Sequence, residues 1–153
     1  MLLKRERNFM MTFNQKDEFI LDNKRSDGML VVDFNSQNIL FSDAAKRFAD
    51  NFPLSYAKIL AELNKGETLY NRCVLLEENG FKLAVIVAQM NVVGDVDETE
   101  DIVAITQSLI KKLVERFPSE SFVSGMLYKD AGAWKKISKF IKKLNVNWSI
   151  YAN

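Results

Sequence analysis

SGMLYKDAGAWKKISKFIKKLNVNWSIYAN, residues 124–153, contains the change of period that decides the fold. Its first residues close the apolar run FVSGML (122–127), which has strand length and reads as a strand buried on both faces. Trp134, Ile137, Phe140, Ile141 and Leu144 then recur at the three- and four-residue steps of a helix. NWSIYA (147–152) returns to strand. Asp130, beside Lys129, stands where this helix is expected to begin. An acid there accepts hydrogen bonds from the first free N–H groups and is favoured by the helix dipole. The residues favour that cap and leave a catalytic acid open.

The alternation extends upstream. NFMMTF (8–13) and EFILD (18–22) are short strand candidates, NKRSDG (23–28) is a turn-rich polar loop, and GMLVVDF (28–34) is another buried-type strand. Ala44, Ala45, Phe48 and Phe52 then take helical spacing, with Ser42 or Asp43 as cap and Pro53 as stop. Ser55 can cap a second helix with Ile59, Leu60 and Leu63 as its stripe, ended at Lys65 and Gly66. In ETLYNRCVLLEENGFKLAVIVAQ (67–89), two β-rich runs flank Glu77-Glu78-Asn79-Gly80, and Asn-Gly is a strong hairpin signal. The acidic loop NVVGDVDETED (91–101) leads into a long helix carrying Ile102, Ile105, Leu109, Leu113 and Phe117, closed by Pro118. Strands interleaved with helices predict an α/β fold, a three-layer α/β/α sandwich with a mixed central sheet. No linker or repeat divides the chain, so one domain over 1–153 is expected.

Composition removes several kinds of chemistry. The chain has no histidine, which excludes Ser-His-Asp and Cys-His catalysis and the histidine zinc motifs. Cys73, its one cysteine, sits in apolar RCVLL as a buried, inert thiol and suits a reducing, intracellular setting. A net charge of +1 gives no global field for nucleic acid or membrane. The longest apolar segment, LAVIVA (83–88), falls far short of a membrane span, and the N-terminus lacks the apolar run of a secretory signal. The six glycines are dispersed, so neither P-loop nor Rossmann spacing occurs. Asp95, Asp97, Glu98, Glu100 and Asp101 do not follow EF-hand spacing and read as helix-start acids, so no metal and no cofactor are expected. Lys135, Lys136, Lys139, Lys142 and Lys143 lie away from the apolar stripe of the last helix. They read as a solvated face, with a nucleic-acid patch as the lesser alternative.

Taken in order, these features resemble a macrodomain, the ADP-ribose-binding three-layer fold, in the branch that contains terminal ADP-ribose protein glycohydrolase. AAKRFADNFP (44–53) is similar to the family's first helix, and LAELNKGETLYNRCVLLEENGFKLAVIVAQ to the short helix, glycine turn and hairpin that follow. DETEDIVAITQSLIKKLVERF resembles the long helix after the substrate loop, and 124–153 matches best. The resemblance covers 28–153 and departs where ligand would bind. In ILFSDAA (39–45), Phe41 and Asp43 stand where the family's diphosphate loop has glycines. The second loop has Met126, Leu127, Tyr128 and Lys129, with only Gly125 and Gly132 surviving nearby. The branch's acid matches Asp130 when Trp134 is the anchor, whereas its lysine nucleophile falls around Gln89 or Met90, neither of which can form the covalent sugar adduct.

The expectation is therefore a degenerate, non-catalytic binding module whose surface engages another protein. Phe41, Met90, Val92, Val93 and Tyr128 serve as contacts, as pocket filling or simply as core. The alternative is an ADP-ribose-like nucleotide binder with residual hydrolase activity through Asp130 and with Asn35 or Asn38 near the distal ribose. Its ligand contacts would then come from Asn35, Asn38, Phe41, Ser42, Gln89, Met90, Gly125, Tyr128 and Lys129. The cytoplasm is the expected location, that of a host cell if the compact, glycine-poor chain comes from a phage.

Overall fold

The computed structural model describes residues 11–14, 28–35, 43–64, 69–90, 97–128 and 132–151. EFILD, most of NKRSDG, and the expected site residues Asn38, Phe41, Ser42, Lys129 and Asp130 lie outside them.

In chain order the elements are β1 (Met11–Asn14), β2 (Met29–Asn35), α1 (Asp43–Asn51), α2 (Pro53–Asn64), β3 (Arg72–Glu78), β4 (Phe81–Gln89), α3 (Thr99–Arg116), β5 (Phe122–Ser124), α4 (Ala133–Lys143) and β6 (Trp148–Tyr151). The strands form a six-stranded sheet in the order β1-β6-β5-β2-β4-β3. Every pairing is parallel except β3 with β4, which is antiparallel. The mixed sheet expected from the sequence is present.

The two faces of the sheet separate by residue parity. Met29 and Val31 of β2, with Ala84, Ile86 and Ala88 of β4, pack with Phe122, Trp148 and Ile150 against α3 and α4. Leu30, Val32 and Phe34, with Leu83, Val85 and Val87, pack against Phe48, Phe52 and Ile59 of the α1–α2 layer. This two-sided burial explains why both central strands read as unbroken apolar runs. Trp148 is fully buried, stacks on Phe122 at 5.2 Å, and donates its indole N–H to Ser124 Oγ at 2.9 Å.

The Asn-Gly hairpin forms as read. Asn79 and Gly80 both take positive φ (53° and 83°), and Glu78 pairs with Phe81 across the turn. Three helix ends differ from expectation. Phe52 alone separates α1 from α2, and Pro53 opens α2, where a missing N–H costs nothing. Ser55 therefore lies inside the first turn of α2, not at its cap. The cap comes from 23 residues away: Glu78 Oε1 accepts Ser55 N–H at 2.7 Å and Oε2 accepts Leu54 N–H at 3.3 Å. Burial pushes the Glu78 carboxyl up, but the Ser55 hydroxyl, these two N–H groups and the charge of Lys58 outweigh it and hold the group below its ordinary range. At α4 the N-cap is Gly132, left-handed at φ 76° and with no side-chain cap bond. The described helix thus starts later than the sequence suggests, and the expected cap, Asp130, lies outside the described residues.

Candidate ligand-binding site

Parallel strands place their carboxyl ends on one edge of a sheet, and crevices form where successive crossovers leave in opposite directions. Here the chain leaves β2 over the α1–α2 face to reach β4, then crosses the opposite face through α3 to reach β5 on the other side of β2. The carboxyl ends of β2, β4 and β5 therefore frame the candidate site.

The strands do not end level. Ser124, the last residue of β5, pairs with Val31, so β2 runs on for four residues to Asn35. Phe34 pairs with Val87 but Asn35 pairs with Gln89, so the β2–β4 ladder slips between Phe34 and Asn35 and passes over Ala88. Such irregularities leave ladder groups unpaired and re-aim side chains. The segment after β5 fills the gap. Tyr128 is buried, and its hydroxyl accepts the Ala88 N–H at 2.8 Å. The carbonyls of Phe34 and of Ile86, the latter at 2.8 Å, lie within donating reach of the same hydroxyl, which has one proton to share between them. The main chain of Tyr128 is left-handed, φ 44°, and its N–H donates to Asp33 Oδ2 at 3.2 Å. A side chain bonded to the sheet on this scale holds a non-glycine residue in a region it otherwise avoids. Burial, reinforced by the Asp33 charge, raises the Tyr128 hydroxyl well above its ordinary pKa, so it acts as a neutral strut.

Of the expected ligand residues, Asn35, Gln89, Gly125 and Tyr128 converge on this edge through the ends of β2, β4 and β5. Asn35 is buried, Gln89 and Gly125 are half-buried, and Met90 is 46% exposed. Met90 N–H donates to Glu98 Oε1 at 2.9 Å, which joins the end of β4 to the start of α3. Tyr128 completes the core instead of lining an opening. Lys82, the lysine nearest in sequence to the Gln89–Met90 position, pairs with Met29 at the opposite end of β4 and bonds Glu120 at 2.8 Å. Seven residues of strand, about 23 Å, separate it from the site. Asp33 is the site group that the sequence reading passed over. Its signal was an acid inside an otherwise apolar, buried-type strand. Among the described residues no cluster of His, Cys, Asp or Glu could hold a metal, and no helix is long and apolar enough to cross a membrane.

No family model matches the chain, and no curated protein matches it by sequence. Solved structures do match its shape. The macrodomain of Mycobacterium tuberculosis DarG superimposes with a TM-score of 0.72 at 14% identity, covering 93% of this chain and 97% of that one. The chain has the macrodomain fold. A macrodomain protein from Streptomyces coelicolor agrees at TM-score 0.67 and 10% identity over 94% of this chain and 99% of its own. Thermosipho africanus DarTG in complex with ADP-ribose agrees at 0.69 and 13% over 95% of this chain, which spans 42% of that longer protein. The macrodomain fold brings the carboxyl ends of β2, β4 and β5 together here at sequence identities where side-chain chemistry has to be read from this chain itself.

Proposed function

We propose that this macrodomain-fold chain is a degenerate, non-catalytic binding module, one domain over 1–153, that engages a protein partner in the cytoplasm. The observation that carries the reading is the bond from Tyr128 N–H to the Asp33 carboxylate. In a glycine-rich second loop, backbone N–H groups would face an incoming phosphate. Here an internal anion already takes one of them, and the tyrosine strut fixes the loop in that state. Gln89 and Met90 offer no amine for a covalent sugar adduct, which supports the same conclusion. Met90, 46% exposed at the rim, supplies an apolar contact of the adaptable kind found at protein interfaces.

The second reading is binding of an ADP-ribose-like nucleotide, with Asp130 as a residual acid and Asn35 at the ribose. What favours it is a structure of the same fold solved with ADP-ribose. Titration calorimetry with ADP-ribose separates the two. The first reading expects no saturable heat up to on the order of 1 mM ligand; micromolar binding overturns it. Met90→Asp should abolish capture of the protein partner without changing the melting curve, and unchanged capture places the contact elsewhere.

A further inference from the structure

Among the described residues the sheet ends on one side at β3, which carries few of the devices that keep edge strands apart; its one inward-turned charge, Glu78, is taken up by the α2 cap. Edges are blunted by short length, proline, lysine, bulges in mid-strand or inward-pointing charges. β1, at the opposite edge, spans only 4 residues. β3 spans 7, RCVLLEE, with no proline or lysine and with Cys73, Val74, Leu75 and Leu76 all half-buried at its centre. Among the described residues no strand pairs with its outer side.

The hairpin fixes which backbone groups face outward. Glu78 and Phe81 flank a two-residue turn and exchange hydrogen bonds, so Val74, Leu76 and Glu78 bond inward to β4. At the other end Asn71, at φ 66°, donates its N–H to Val87 O at 2.7 Å beside the Arg72–Val87 pair, which puts Arg72 in the same inward set. The N–H and C=O groups of Cys73, Leu75 and Glu77 therefore point away from the sheet. An antiparallel copy of β3 with its two-fold axis at Leu75 pairs Leu75 with Leu75 and Cys73 with Glu77, so each outward N–H meets an outward C=O. Slipping by one residue would set outward groups against inward ones. The charges are compatible with this register: the one cation of β3, Arg72, lies opposite the partner copy's Glu78, whose carboxylate keeps its place in the α2 cap. Leu54, 67% exposed, stands beside that end because its N–H bonds Glu78.

We propose that β3 is a self-association edge, through which two copies of this chain join antiparallel about Leu75 into one continuous sheet. This surface lies away from the carboxyl-end site, so its failure and that of the protein-partner reading are separately visible.

The test uses the full chain. Sedimentation equilibrium should give a dimer at micromolar concentrations, and a monomer at all concentrations overturns the proposal. Glu77→Cys then tests the register under oxidised glutathione. Within one strand, positions 73 and 77 lie about 13 Å apart and cannot bridge. Across the two-fold they are directly opposed, with Cα atoms about 5.5 Å apart, so a covalent dimer through native Cys73 is expected. A solution dimer that does not cross-link even on long exposure at about pH 10, where the Cys73 thiol reacts, puts the axis elsewhere and overturns the assignment. Glu77→Pro removes one outward N–H and no β3–β4 bond. It should abolish the dimer while leaving the far-ultraviolet spectrum intact. Arg72→Glu, an exposed change, should weaken the dimer at least tenfold, and unchanged association of both variants refutes the edge.

Discussion

Replacing Glu78 with alanine removes the whole N-terminal cap of α2 at once. The carboxylate accepts Ser55 N–H at 2.7 Å and Leu54 N–H at 3.3 Å from a buried position, and the Ser55 hydroxyl bonds it as well. Loss of a cap costs about 0.5–2 kcal/mol, and hydrogen bonds to a charged group are worth about 1.5–3 kcal/mol each when buried. The first is the floor, since water can re-enter a helix end. The expected loss is therefore about 2 kcal/mol, or a fall in Tm of about 4–8 °C for a chain of this length. Urea denaturation at neutral pH measures it. Ser55→Ala removes one bond and leaves the backbone cap in place, so its cost should be smaller, about 1 kcal/mol. The pH dependence adds a second check. The folded carboxyl sits below its ordinary value near 4.5. Its stabilisation is thus fully present above about pH 4.5 and is lost as pH falls through the lower folded value. The gap between the parent and Glu78→Gln should narrow over that acid window. A Glu78→Ala cost under about 0.5 kcal/mol, or a serine variant costing more than the glutamate one, would refute the long-range cap.

Other residues give sharper local tests. Tyr128→Phe leaves the Ala88 N–H and two carbonyls without their hydroxyl, and denaturation should show a loss of about 2 kcal/mol. Because the folded hydroxyl titrates above its ordinary value near 10, the parent's stability should hold to about pH 10 and decline beyond it, while Tyr128→Phe lacks that decline. Ser124→Ala strands the indole N–H of the fully buried Trp148, costing about 1–3 kcal/mol by the same measurement, with a shift in tryptophan emission. Burial pushes the Cys73 thiol up to about 11, despite the lowering influence of Arg116. Iodoacetamide should therefore label it slowly at pH 8, with a rate still rising at pH 10.

The fold was legible wherever one short window contained its own cause. Asn79-Gly80 set the hairpin, Ile137 and Ile141 set the buried stripe of α4, and GMLVVDF announced a strand covered on both sides. What escaped was contact across sequence distance. Glu78 caps a helix 23 residues earlier, a bond that no cap rule based on neighbouring residues can see. Ser55 was a reasonable local candidate displaced by it. The start of α4 moved for a different reason: Gly132 supplies a left-handed turn that an acid rule ignores. Around the candidate site, the resemblance points to Asn35, Gln89 and Gly125, which lie at the strand ends, while Asp33 is hidden inside an apolar strand. Tyr128 was read as contact, filling or core, and packing against the sheet made it core.

The slip between Phe34 and Asn35 has a consequence for how this molecule opens. A hydroxyl from the loop after β5 occupies the place of a missing ladder rung, so that loop is part of the sheet's hydrogen bonding, not a cover laid upon it. Loop residues commonly fluctuate alone, but Tyr128 can move only when the end of the sheet frays with it. Exchange of the Ala88 amide proton should then keep pace with exposure of the Tyr128 ring, the two reporting a single cooperative unit of local unfolding. Tyr128 thereby inherits the rigidity of the strands it bonds.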